Sequence, residues 1–148
     1  RPEVLELRDH YNLPGMEIVQ FTYHPHHMEP LTNPNRIIYT GTHDNQTVVS
    51  WFNSQDLTFK RASEDDLNRR GFIDYETIFD KFLAYTFFSS AALAIVPMQD
   101  LLMLDDVARL NTPGTIGTPN WEWKLKDLKK YKKRLGFIAY LIKASDRK

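Results

Sequence analysis

The chain contains no cysteine among its 148 residues. This absence excludes a disulfide framework, a thiolate metal site and a cysteine nucleophile. It also fits a reducing compartment, so we expect a cytoplasmic protein. The remaining composition, 42% hydrophobic and 26% charged, is ordinary for a folded domain with a core of its own.

Long apolar runs are also missing from the sequence. No stretch approaches the roughly 18 consecutive apolar residues that a transmembrane helix requires, so we expect no membrane partner. The start, RPEVLELRDH, has no apolar signal-peptide core, and it begins with Arg1 rather than methionine. We therefore expect a piece of a longer protein.

The chain carries no net charge, but its charges are unevenly distributed. Residues 124–148 hold ten Lys and Arg against two Asp and Glu. A basic segment can bind nucleic acid, with an affinity that falls steeply as salt rises. We instead predict a solvated helix face and no nucleic-acid partner, because no groove-reading motif accompanies the run.

The pattern of apolar and polar residues predicts helices and strands in alternation. This order predicts an α/β fold with a parallel sheet covered on both faces. Three parallel strands leave two unpaired edges, so we expect a part of a larger barrel or sheet that can self-associate through those edges. The predicted helices are 2–12, 45–55, 74–91 and 126–145, and the predicted strands are 16–23, 36–42 and the start of 93–104.

Two finer predictions concern the helical regions. Residues 53–74 are polar and are predicted to be irregular. Apolar spacing in the other regions predicts two buried stripes. The stripe of the 74–91 helix is Ile78, Phe82, Tyr85 and Phe88, and that of the terminal helix is Leu128, Tyr131, Leu135 and Ile138.

The segment IIYTGTHDN, residues 37–45, places polar side chains directly after an apolar strand. In parallel α/β folds such strand ends carry the functional residues. Asp44 can accept hydroxyl hydrogen bonds or stabilise a cation, and His43 can donate to a hydroxyl, which together suit a sugar ring. The alternative is that Asp44 caps a helix beginning at Asn45.

Two loops offer further candidates. The histidine-rich segment with His24, His26, His27 and Glu29 matches no metal-binding spacing, so we predict an exposed loop and no metal. Trp121 and Trp123 follow a Gly- and Pro-rich loop and are candidates for stacking on a ligand. Because they are two residues apart, at most one faces a ligand in an extended segment, and both can instead serve packing.

Five motifs in fixed order carry a resemblance to a known family. They are LPGMEIVQF, RIIYTGTHDNQT, VPMQDLLML, ARLNTPGT and NWEWKL. In this order they resemble the C-terminal part of the 4-α-glucanotransferases, also called amylomaltases or disproportionating enzymes. The resemblance implies a (β/α)8 barrel, of which residues 1–148 are a single incomplete piece, the last three βα units of the catalytic domain.

The resemblance also implies an activity and its partners. The family transfers an α-1,4-glucan segment to the 4-hydroxyl of an acceptor glucan or glucose, by a retaining mechanism and without a cofactor. The implied partners are α-1,4-glucans, maltooligosaccharides and the missing N-terminal part of the same enzyme.

The family motifs assign roles to individual residues. Asp44 matches the third catalytic aspartate, and His43 its neighbouring histidine, both of which contact the sugar at the cleavage site. Phe21 resembles an aromatic residue near the acceptor subsites. Two positions depart from the family pattern, since Lys124 stands where arginine is usual and Gln46 where aspartate is usual. Residues implied to border the glucan groove are Asn45, Asn111, Asn120 and Trp121.

Two other catalytic carboxylates of the family precede the region present here. Retaining chemistry needs a nucleophile and a general acid/base about 5 Å apart. We therefore expect the isolated chain to be inactive. The alternative is a non-catalytic α-glucan-binding module that uses Phe21, His43 and Trp121.

Overall fold

Three parallel strands form one sheet in the computed structural model, which describes residues 2–26 and 34–147. The strands are β1 (Gly15–Ile18), β2 (Arg36–Tyr39) and β3 (Leu93–Ile95), paired in the order β1-β2-β3. The helices are α1 (Pro2–His10), α2 (Val19–Thr22), α3 (Val48–Asn53), α4 (Leu57–Leu67), α5 (Ile78–Phe87), α6 (Met98–Leu101) and α7 (Lys129–Ala144). A π-helical turn, Asn68–Phe72, follows α4, and a 3-10 turn, Asp106–Ala108, follows α6. The α/β class and the parallel sheet predicted from the sequence are confirmed.

The helices cover one face of the sheet. Ile38 of β2 is fully buried, and it belongs to a core that includes Phe82 and Leu83 of α5 and Leu141 of α7. Burying each such large apolar side chain contributes about 1.5–3 kcal/mol. Because the strands are parallel, their carboxyl ends and the loops that follow lie at the same edge of the sheet.

The opposite face of the sheet is apolar and, apart from Ile18, largely uncovered in the described part of the chain. Side chains alternate between the two faces of a strand, so this face carries the neighbours of Ile38. Met16 pairs with Ile37, which pairs with Leu93, and these form a row across the sheet. Met16 remains 67% exposed and Leu93 49% exposed. Of the two faces predicted to be covered, the structure covers one.

The first strand is shorter than predicted. The prediction of a strand over 16–23 is wrong beyond Ile18, where the chain turns into helix α2. The turn buries Tyr23, whose ring lies 5.0 Å from that of Phe82 and whose hydroxyl donates to Asp66 Oδ2 at 3.0 Å. These tertiary contacts override the strand preference of the local sequence.

The prediction of an irregular segment over 53–74 is also wrong. Helix α4 begins after Asp56, whose side chain accepts the backbone N–H of Phe59 at 2.8 Å. The face that α4 buries includes Ser63 and Asp66, so apolar periodicity could not reveal it. Oδ2 of Asp66 accepts hydrogen bonds there from the hydroxyl of Tyr23 at 3.0 Å and from Arg70 Nε at 2.7 Å.

The predicted stripe of the terminal helix is only partly correct. Ile138 is buried as predicted, but Leu128 and Leu135 are exposed. Tyr131 is half-buried, and Arg134 also faces inward, where it pairs with Asp80 at 2.7 Å and donates to Leu101 O at 2.8 Å. An arginine in the buried stripe displaces the pattern that apolar residues alone would give.

In α5, Phe82 is buried as predicted, Ile78 and Tyr85 are partly buried against the core, and Phe88 lies just beyond the helix and is exposed. The lysines of α7 at positions 129, 130, 132 and 133 are exposed, as predicted for a solvated face.

Candidate functional site

The loop after strand β2 displays His43 and Asp44 at the carboxyl edge of the sheet. Gly41 permits this path, because a Cβ atom there would lie 2.6 Å from Nε2 of Gln20. Gln20, in helix α2, donates from that atom to the carbonyl of Gln46 at 2.8 Å. The glycine thus lets the loop after β2 lie closely against the helix after β1.

Asn45 shapes the turn that carries the two candidate residues. Its Oδ1 accepts the backbone N–H of Thr42 at 2.9 Å and the hydroxyl of Thr42 at 2.7 Å. His43 and Asp44 lie between these residues, and their side chains are 53% and 48% exposed. The contacts described for the Asn45 side chain are therefore within the turn.

The alternative that Asp44 caps the following helix is wrong. Helix α3 begins at Val48, and its cap is Thr47, whose hydroxyl oxygen accepts the backbone N–H of Ser50 at 3.3 Å. The carboxylate of Asp44 is therefore not used for capping.

Asp44 instead contacts the loop that follows β3 and α6. Nδ2 of Asn111 donates to Oδ1 of Asp44 at 2.7 Å, and Nε2 of His43 lies 3.4 Å from the same oxygen. Arg109 donates to the backbone carbonyl of Asp44 at 2.8 Å. The site is thus built from two loops that end neighbouring strands.

Trp121 completes an aromatic wall beside His43. The two ring centroids are 5.2 Å apart, and the ring planes are inclined by 38°. Trp121 is 61% exposed, and its backbone N–H donates to the carbonyl of Leu110. Trp123 is half-buried and lines a separate hollow with Leu102 and Val107. Of the two tryptophans, only Trp121 lies against the candidate site.

The other two residues assigned by the family motifs lie at the margins. Phe21 is exposed on α2, one residue after Gln20 and at the same edge of the sheet. Asn120 stabilises its own loop, since its Oδ1 accepts the N–H of Thr112 at 2.9 Å and its Nδ2 donates to the hydroxyl of Thr115 at 2.8 Å.

The sequence reasoning missed three charged residues that hold the site together. Arg109 donates from Nε to the carbonyl of Asn111 at 2.9 Å, in addition to its bond to Asp44. Asp106 accepts Nε2 of Gln46 and the N–H of Thr47, each at 2.9 Å. The third is Asp100, whose pKa is raised by burial, an effect that its hydrogen bonds oppose. Asp100 lies in the apolar motif VPMQDLLML, and Arg109 lies in ARLNTPGT, which contains Gly and Pro. A single charge in such a segment was the signal that could have indicated each of them.

A cleft of about 220 Å³ lies behind the loop that carries His43. Its polar walls include Thr42, Gln46 and Arg109, while Pro97 and Leu110 supply apolar surface. The cleft is too small for a sugar chain, whereas the side chains of His43, Asp44 and Trp121 are accessible from the open side of the loop.

Within the described ranges, no three or more His, Cys, Asp or Glu residues are grouped so that they could hold a metal ion. His24 and His26 are exposed, whereas His27 and Glu29 lie outside the described residues. Over the same ranges, every helix is too short or too polar to span a bilayer.

Comparisons with known proteins agree on one family. The 4-alpha-glucanotransferase family model matches residues 1–130. The 4-alpha-glucanotransferase of Streptococcus pneumoniae is 40% identical over 131 residues, which cover 84% of this chain and 25% of that protein. The one from Synechocystis is 39% identical over 132 residues, which cover 83% of this chain and 25% of that protein.

A solved structure resembles the fold closely. The amylomaltase from Streptococcus agalactiae in complex with acarbose superposes with a TM-score of 0.87 at 27% identity, covering 99% of this chain and 30% of that one. The chain spans about a quarter of the length of the curated relatives described above.

Proposed function

The chain belongs to the 4-alpha-glucanotransferase family, and on this premise we propose that it is the C-terminal part of an enzyme that transfers α-1,4-glucan segments. The acceptor is the 4-hydroxyl of another glucan or of glucose, and the mechanism is retaining. The observation that carries the proposal is the half-exposed carboxylate of Asp44, with His43 and Trp121 beside it at the carboxyl edge of a parallel sheet.

The sheet supports assignment to the last three βα units of a (β/α)8 barrel. Helices cover one face, and the other face presents apolar rows. One row is Met16, Ile37 and Leu93, and the next is Ile18, Tyr39 and Ile95. The interior of such a barrel is filled by layers of large side chains from its strands, and these rows supply side chains of that kind.

The chemistry assigns a distinct task to each exposed group. Asp44 accepts hydrogen bonds from ring hydroxyls and stabilises the positive charge that develops on the sugar ring, so its contribution is largest in the transition state. His43 donates to a neighbouring hydroxyl. The indole of Trp121 offers a flat apolar face on which a glucose ring can stack.

The remaining catalytic groups belong to the rest of the enzyme in this proposal. Retaining chemistry needs two further carboxyl groups about 5 Å apart. Among the described residues, the Asp44 side chain has His43 and Asn111 as its polar partners, and neither is an acid. The isolated chain is therefore inactive, and formation of longer and shorter products from maltotriose by this chain alone would contradict that.

The full-length protein that carries this chain tests the proposal. Incubation with maltotriose should yield both longer and shorter maltooligosaccharides, measured by chromatography. Asp44→Asn should lower kcat by several orders of magnitude and leave the circular dichroism spectrum unchanged. The matched control is Asp65→Asn, which makes the same change at an exposed position of α4. An Asp44→Asn activity within tenfold of the parent would refute the role of Asp44.

The exposed indole of Trp121 favours a second candidate, a non-catalytic α-glucan-binding module. Full-length protein that binds maltooligosaccharides but never changes their lengths would support this candidate and exclude the transferase.

A further inference from the structure

The two carboxylate oxygens of Asp44 have different surroundings. Oδ1 receives Nδ2 of Asn111 at 2.7 Å and lies 3.4 Å from Nε2 of His43. Oδ2 has no hydrogen-bond or ionic partner within residues 2–26 and 34–147. One oxygen is therefore held by the protein, and the other is available to a ligand.

Both backbone polar groups of Asn111 are hydrogen-bonded. Its backbone N–H donates to the carbonyl of His43 at 3.1 Å. Its backbone carbonyl accepts Nε of Arg109 at 2.9 Å. The amide group of Asn111 thus starts from a backbone that is anchored to the loop it contacts.

Arg109 connects the same two loops through a second path. Its guanidinium donates from Nε to the carbonyl of Asn111 and from one terminal nitrogen to the carbonyl of Asp44, at 2.8 Å. The planar guanidinium can serve two carbonyls at once because its N–H groups point in fixed directions. The spacing between Asn111 and Asp44 is therefore set independently of their side chains.

We propose that Asn111 is a positioning residue for Asp44, which holds Oδ1 and thereby directs Oδ2 toward the glucan. This inference rests on the proposed function and gives Asn111 a role beyond that of bordering the groove. A carboxylate held at one oxygen cannot rotate away as charge develops on the sugar. Loss of the hydrogen bond from Asn111 should therefore lower kcat more than it raises KM.

The sharpest test is Asn111→Asp in the full-length protein. This change replaces the N–H donor by a carboxyl group of nearly the same shape, 2.7 Å from Oδ1 of Asp44. Two carboxyl groups at this distance share one proton, and that proton restores the hydrogen bond at low pH. Above the pH at which the pair loses its proton, the two carboxylates repel.

The pH profile of the variant should therefore differ from that of the parent. We expect the ratio of variant to parent kcat to be highest at the acidic end and then to fall by about tenfold per pH unit once the shared proton is lost. Three other charged groups lie near the pair. His43 lies beside Oδ1 of Asp44, Arg109 donates to the backbone carbonyls of Asp44 and Asn111, and Asp106 lies 3.8 Å from Arg109. These groups are present in both proteins, so the ratio of the two kcat values reports the effect of the new carboxyl group alone.

Two further variants separate positioning from general damage. Asn111→Ala should lower kcat by about tenfold to a hundredfold at every pH with little change in KM. Asn53→Asp, at an exposed position of α3, adds the same charge elsewhere and should leave the pH profile unchanged. An Asn111→Asp protein with the parent pH profile, or a KM effect alone in Asn111→Ala, would overturn the proposal.

An NMR measurement that needs no catalytic activity tests the role of Asn111 separately from the proposed transferase function. The carbon-13 carboxyl shift of Asp44 should follow pH differently in Asn111→Asp from in the parent, because the new carboxyl group shares a proton with Asp44. If the parent transfers no glucan, the proposed function fails, but this titration still decides whether Asn111 holds Asp44. An unchanged Asp44 titration in the variant would reject the contact itself.

Discussion

The buried carboxylate of Asp100 holds the first residue of helix α3, since its Oδ1 accepts the backbone N–H of Val48 at 2.8 Å. Its Oδ2 accepts the hydroxyl of Thr40, the residue directly after strand β2. The loop that carries His43 and Asp44 lies between these two attachments. One side chain, only 1% exposed, therefore fixes both ends of the candidate catalytic loop.

This arrangement predicts a pH-dependent stability. Burial is the main cause that raises the pKa of Asp100 above the ordinary aspartate value of about 3.9. The folded state therefore binds the proton more tightly than the unfolded state. The associated stabilisation is fully present below the unfolded pKa and is lost as pH rises through the folded pKa.

Asp100→Asn removes that titration and can keep both hydrogen bonds, because Thr40 can accept from the amide. We expect the thermal midpoint of the full-length parent to fall relative to Asp100→Asn as pH rises from 4 through the folded pKa. Asp100→Ala leaves the N–H of Val48 unsatisfied and should lower the free energy of unfolding by about 1–3 kcal/mol. A constant difference between the parent and Asp100→Asn across this range would reject the assignment.

The uncovered sheet face predicts opposite outcomes in two contexts. Met16 and Leu93 are exposed in the isolated chain, whereas the proposed barrel would bury them. We therefore expect the isolated chain to self-associate through this face and the open edges. Met16→Lys with Leu93→Lys should reduce that association, measured by sedimentation velocity over a concentration series.

In the full-length protein the same double change should destabilise the fold by several kcal/mol, because it places charges in a barrel interior. Leu57→Lys, at an exposed position on α4, is the control and should affect neither result. A monomeric isolated chain, or a full-length double variant as stable as its parent, would argue against the barrel.

Local sequence was sufficient where one element carries the signal. The strand Arg36–Tyr39 ends in two isoleucines and a tyrosine, Gly41 permits the close approach of Gln20, and the polar residues follow at once. The display of His43 and Asp44 at a strand end could therefore be predicted from consecutive residues. Helix α4 could not be predicted in this way, because the face it buries is partly polar and contacts Tyr23 and Arg70, which are distant in sequence or beyond the helix.

The contacts that orient the site lie beyond local reasoning. Asn111 meets Asp44 across 67 positions of sequence, and Arg109 does so across 65. The motifs show that these residues occur in order, but not which atoms meet. The hypothesis that Asp44 caps α3 is wrong for a related reason. Asp44 and Thr47 are both good capping residues, and the loop geometry selects Thr47.

The pairing of Trp121 with His43 predicts a binding role that kinetics can separate from chemistry. The centroid of the exposed Trp121 indole lies 5.2 Å from that of the His43 imidazole, and the indole keeps ring surface open to a ligand. In the full-length protein, Trp121→Ala should raise the KM for maltooligosaccharides by about three- to tenfold, the value of one aromatic contact, with kcat within about threefold. Trp121→Phe retains a flat ring and should lie between the parent and the alanine variant.

Tryptophan fluorescence supplies a second readout. Saturating maltooligosaccharide should change the emission of the parent, and Trp121→Phe should abolish most of that change while leaving Trp51 and Trp123 in place. Trp123→Phe is the matched control, because Trp123 lines a different hollow and its loss should preserve the ligand-induced signal. If the signal instead follows Trp123, or if Trp121→Ala leaves KM unchanged, then Trp121 only packs against His43.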